Sequence, residues 1–230
     1  MKPAHATAIF LIAFATHSPL PAQIPYSTGH GDIGVGYDSE AHAFDPHWHL
    51  GDDEEFAPDQ VVAIISSQAA SPLGLAPALG VADGTDIRIA GSSAHQPNLG
   101  FATEELDPLD WVGTITLALT DWSGPGQFAL YTTNLSGTAV VDVYLSTFDP
   151  VSTFGNNQFE LFAGDHLHFL FGFTDPGYYE LEFSWTGTHV TDGVAATSGR
   201  FGFNVVPEPT GAALFLAGTI ALAATRRRRA

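Results

Sequence analysis

The stretch GDHLHFLFGFTDPGYYELEFSW, Gly164 to Trp185, decides the fold. Leu167, Phe169, Phe171 and Phe173 share one parity, while His166 and His168 fall on the other. Side chains alternate across a strand, so this spacing predicts a strand with the Leu and Phe side toward a core and both histidines away from it. Asp175-Pro176-Gly177 then interrupts the run. Proline sets φ near −65° and glycine admits a positive φ, the chemistry of a type II turn, which delivers Tyr179 to Trp185 as the next strand.

The same period of two extends outward in both directions. Ile33, Val35 and Tyr37 alternate with Asp32, Gly34 and Gly36, and Trp48 and Leu50 share a parity that His47 and His49 do not. Further strands are predicted over Val61 to Ile65, around Ile87 and Ile89, and over Trp111 to Leu119, Phe128 to Tyr131, Ala139 to Phe148, Phe159 to Phe162 and Phe201 to Val205. A second turn of the same kind, Gly124-Pro125-Gly126, precedes QFALYT, and Ser66 to Gly84 reads as a long loop or a single short helix. Short strands bounded by turn residues predict an all-β fold, an antiparallel β-sandwich of Ig-like or jelly-roll-like type over residues 23–206. The chain has no cysteine, which excludes disulfide staples and thiol catalysis, so its 17 phenylalanines and four tryptophans must hold the core.

The two ends read differently. Lys2, the apolar run Ala8 to Ala15 and the small residues from Ser18 to Ala22 have the order of a secretory signal peptide, residues 1–22, cut after Ala22 or alternatively after Ala15. The last stretch, VVPEPTGAALFLAGTIALAATRRRRA, combines Pro207-Glu208-Pro209, an apolar run and the block Arg226, Arg227, Arg228 and Arg229. Two prolines stop a strand, the apolar run suits a short transmembrane helix over about residues 210–225, and four arginines suit the cytoplasmic face of a membrane. Over residues 207–230 this order resembles the PEP-CTERM sorting tail. That resemblance implies export by Sec-type machinery and signal peptidase, transient membrane anchoring, and cutting near Pro207 by exosortase. It also implies a Gram-negative host making extracellular polysaccharide, a further potential partner. A single-span anchor that is never cut fits the same pattern.

The formal charge is −18. With Lys2 and the tail arginines set aside, Arg88 and Arg200 stand against nearly all of the 25 acidic residues. Such a surface excludes nucleic-acid binding and is open to divalent cations or basic partners, although acidity for solubility alone is the simpler account.

Two His-x-His pairs, His47 with His49 and His166 with His168, are the candidate chemistry. Residues i and i+2 of a strand share a face, so each pair can offer two imidazoles to one zinc or copper ion, and four can converge if the strands are neighbours. His30 with Asp32 is a further contributor. The alternative is four surface histidines on two separate strands. A cupin-like enzyme is the second alternative, but Ala41 and Glu160 stand where that pattern wants glycine. No G-x-S-x-G elbow is present, and the acid pairs Glu104-Glu105 and Asp52 to Glu55 read as solvated loops. Calcium at Asp52 to Glu55 or Asp83 to Asp86 matches no EF-hand spacing.

Taken together, GHGDIGVGYD (Gly29 to Asp38), HWHLGDD (His47 to Asp53), WSGPGQFALY (Trp122 to Tyr131) and the opening stretch are similar to the choice-of-anchor M family, related to the actinobacterial surface-anchored repeat. Phe169, Leu170 and Phe171 stand where that family carries Asn and Trp. The resemblance implies a bacterial surface domain with no attached enzymatic activity, and metal by association with neighbouring transporters. The expectation is a non-enzymatic exported surface or matrix protein, with a metal-binding module as the alternative.

Overall fold

The computed structural model describes residues 23–51, 54–91, 96–151 and 153–207. The expected signal peptide, the expected transmembrane helix over about residues 210–225, Glu208, Pro209 and Arg226 to Arg229 lie outside the described residues. Among those described, no helix is long and apolar enough to cross a membrane.

The fold is all-β and sandwich-like, with sixteen strands in three sheets among the described residues. The first sheet runs β1 (Ile24–Tyr26), β5 (Val61–Ile65), β16 (Gly193–Val205), β15 (Gly177–His189), β9 (Ile115–Ser123), β12 (Gln158–Leu161). The second runs β11 (Val140–Ser146), β10 (Phe128–Thr133), β14 (Leu170–Phe173), β7 (Asp86–Ala90), β6 (Gln68–Ala70). The third runs β13 (His166–His168), β8 (Pro97–Ala102), β2 (Gly29–Asp38), β3 (Ala43–Leu50), β4 (Glu54–Phe56).

The sheets are mixed rather than purely antiparallel, because β5 lies parallel to both β1 and β16, and β2 lies parallel to β8. The predicted strand Leu167 to Phe173 serves two sheets and divides at Phe169. Phe169, Phe171 and Phe173 are buried as expected, but Leu167 is 41 % exposed because β13 is the edge of its sheet. β16 begins at Gly193, well before Phe201, since small and polar residues there continue the ladder with β15. β8 was not marked by the sequence pattern, being short and interrupted by Gly100.

The stretch Ser66 to Gly84 resolves into β6 and a one-turn helix α1 (Ala76–Leu79), ended by Gly80 at φ +67°. Asp83 Oδ1 accepts from the N–H groups of Gly74 and Ala76 at 3.2 and 3.4 Å, so it holds the start of α1. The two Pro-Gly turns differ. Gly177 has φ +139°, whereas Gly126 takes no positive φ and is small for space, since a Cβ there would stand 2.8 Å from the Tyr179 hydroxyl.

One aromatic cluster joins the inner faces of the three sheets. Phe101 of β8 stacks on Phe171 of β14 at 5.8 Å between ring centroids and meets Phe183 of β15 edge-on at 5.1 Å. Phe171 in turn lies 5.9 Å from Phe203 of β16, and Trp48 of β3 meets Phe201 at 5.2 Å. All of these are fully buried. Such ring pairs add about 0.5–1.5 kcal/mol each beyond area burial. The outer face of the second sheet is covered separately by Leu75, Ala78 and Leu79 around α1, packed on Ile87 and Tyr131.

Phe101→Ala leaves a cavity where the three sheets meet and is expected to cost about 3–5 kcal/mol. Urea unfolding of the variant checks this, with a lowered midpoint and an unchanged slope.

Candidate metal centre

The third sheet presents one polar face. Ile33, Val35, Trp48, Leu50, Leu99 and Phe101 point into the core, so the residues between them line the other side. Register places His168, Gly100, Asp32, His49 and Glu55 in a single row across β13, β8, β2, β3 and β4. The next row holds His166, Ala102, Gly34 and His47. Strands lie ~4.8 Å apart, so His168 and Asp32, two strands apart, are separated by a backbone that must carry nothing tall. Gly100 meets that need. A Cβ there would collide with Asp32 Oδ1 and stand 2.8 Å from the Leu167 carbonyl.

Across this gap His30, Asp32, His166 and His168 bring their ligand atoms within 4.8 Å of one another. His30 Nε2 is 3.1 Å from both His166 Nε2 and His168 Nε2, and 3.3 Å from Asp32 Oδ2. Asp32 Oδ1 is 3.2 Å from His166 Nε2. The outward nitrogens are held: His166 Nδ1 is 3.0 Å from Glu104 Oε1, and His168 Nδ1 is 3.2 Å from the Leu99 carbonyl. A carboxylate and a carbonyl only accept, so each Nδ1 carries a hydrogen, and in the neutral ring Nε2 then turns its lone pair inward. His30 Nε2 can donate to only one of its two neighbours. The buried Asp32 Oδ1 has no aligned hydrogen-bond partner among the described residues, and the cluster could hold a metal ion.

The distances suit one. A tetrahedral zinc with bonds of ~2.0–2.1 Å sets its ligand atoms about 3.3 Å apart, and His30 Nε2 stands 3.1 Å from each of the other two imidazole nitrogens and 3.3 Å from Asp32 Oδ2. The paired Nδ1 contacts are the outer support that metal-ligating histidines usually have. Three imidazoles and a carboxylate suit zinc, whereas copper(II) favours a tetragonal arrangement.

Electrostatics agree. Burial pushes the Asp32 carboxyl up, against the opposing pull of His166, His30 and His168, and Glu104 raises it further. Burial also holds His168 below the ordinary imidazole range, with Asp32 opposing, so this ring is neutral and ready to ligate at neutral pH. Burial, then the Asp32 charge, raises the Tyr26 hydroxyl to about 12.

Convergence of His47, His49, His166 and His168 was expected only if their strands are neighbours, and β8 and β2 stand between β13 and β3. His166 and His168 meet His30 and Asp32 instead, because β2 and not β3 is the second strand over from β13. His47 turns toward Glu105, with Nε2 2.7 Å from Oε1, and its group includes Glu55. His49 stands in the row between Asp32 and Glu55 and joins neither group. Glu104 and Glu105, read as a solvated pair, are divided between the two histidine groups by the turn after β8. Thr103 fixes that turn by donating from Oγ1 to the Phe162 carbonyl at 2.6 Å. Asp52 and Asp53 lie outside the described residues. Comparison of the chain with protein-family models, curated proteins and solved structures finds no match.

In the metal-free protein the raised Asp32 pKa means that the fold holds this proton more tightly than the unfolded chain. That contribution is fully present below the unfolded value of ~3.9 and is lost as pH rises through the folded one. At neutral pH the Asp32 charge thus weakens the empty fold. Asp32→Asn is expected to raise metal-free stability at pH 7 by on the order of 1 kcal/mol while losing zinc at this centre. Thermal unfolding with and without zinc checks both signs.

Proposed function

We propose that this chain is an exported, non-catalytic surface module that binds zinc through His30, Asp32, His166 and His168. The observation that carries the reading is the convergence of three imidazoles on a buried carboxylate whose Oδ1 has no aligned hydrogen-bond partner among the described residues. Four protein ligands complete a tetrahedral shell and leave no open position for a substrate, the pattern of a structural or storage site. His30 and His168 are exposed, so the ion is reachable from solvent.

Export rests on the sequence. The leader-like residues 1–22 and the Pro-Glu-Pro, apolar and arginine segments of residues 207–230 support delivery to the cell surface or matrix, with exosortase as the processing partner. β16 ends at Val205, just before Pro207. The lack of cysteine also suits an oxidising compartment, where a histidine and aspartate site needs no thiolate.

Two measurements test the reading. For the full chain, zinc at about 100 times its Kd is expected to stabilise the fold by about 2.7 kcal/mol, on the order of 5–10 °C in Tm. His168→Ala removes one equivalent of zinc by native mass spectrometry; an unchanged count would overturn the site. Mass spectrometry of the protein recovered from its native host is expected to show a C-terminus near Pro207, whereas an intact arginine block in the mature protein would overturn processing.

A further inference from the structure

We propose that the same sheet face holds a second divalent-cation site, formed by His47, Glu55 and Glu105. It uses none of the ligands of the first centre. The three ligand atoms lie within 4.8 Å of one another. His47 is 5 % exposed, and its Nδ1 donates to the Asp45 carbonyl at 2.9 Å, so in the neutral ring Nε2 carries the lone pair. His47 Nε2 faces Glu105 Oε1 at 2.7 Å and has no aligned hydrogen-bond partner among the described residues. Two acceptors held this close, one of them buried, require a positive species with them.

The backbone opposite is cleared for the same purpose. A Cβ at Gly34 would stand 2.8 Å from His47 Nε2, and one at Gly36 would stand 2.9 Å from Glu105 Oε2. Neither glycine takes a positive φ, so neither is there to make a turn. Glycine weakens a strand interior, and its repeated use here marks space kept for the groups across from it.

One nitrogen and two carboxylates form a harder and less complete donor set than the first centre. This set takes a first-row divalent cation and leaves positions for water. The two sites share the turn after β8, where Glu104 supports His166 and Glu105 faces His47. A proton shared between His47 and Glu105 would satisfy the same pair, and stoichiometry separates the two cases.

The full chain is titrated with zinc and its bound ions counted by native mass spectrometry. Glu55 and Glu105 are exposed, so the double variant Glu55→Gln, Glu105→Gln preserves size and folding. The wild type is expected to hold two zinc ions, the double variant one, and His168→Ala the other one. A double variant that binds as many ions as the wild type overturns this second site, and so does a wild type that saturates at one ion removed by His168→Ala. The first centre fails on a different result, a count that His168→Ala leaves unchanged.

Discussion

Two adjacent residues on β8, Gly100 and Phe101, hold fold and site in one piece. Phe101 fills the junction where the three sheets meet, packed against Phe171 and Phe183. Gly100, pointing the other way, keeps the opposite face low enough for His168 and Asp32 to reach across it. Alternation along a strand makes these roles inseparable, since a shift of register by one residue would put glycine in the core and a phenyl ring into the histidine cluster. The aromatic core therefore sets the geometry of the candidate metal centre as well as the stability of the fold.

Burial is the dominant electrostatic influence on the centre. Asp32 is 1 % exposed, raised in pKa by burial, and its Oδ1 lacks an aligned donor among the described residues. Burying a charge costs free energy, and a divalent cation would offset that cost. The strongly acidic chain raises the local concentration of cations around such a face. Bound zinc would tie β2 to β13 across β8, adding a cross-link in a chain with no cysteine.

The alternation of Leu167, Phe169, Phe171 and Phe173, of Ile33 and Val35, and of Trp48 and Leu50 was sufficient to assign an all-β fold and to put both His-x-His pairs away from the hydrophobic parity. Composition also showed that the core is aromatic and that thiols play no part. The division of one apolar run into β13 and β14 was hidden, because periodicity does not report which sheet a residue pairs with. The extra glycines of GHGDIGVGYD were the legible trace of the site, a strand pattern repeatedly interrupted by residues that strands disfavour.

By itself the sequence determined strand content, the face on which the histidines lie, and the chemistry on offer, since these follow from local alternation and residue type. Only the tertiary structure decided that His166 and His168 pair with His30 and Asp32 while His47 pairs with Glu105. Strand neighbours are chosen by long-range register, and β8, the strand that sets that register, carries too weak a pattern to be seen without its partners.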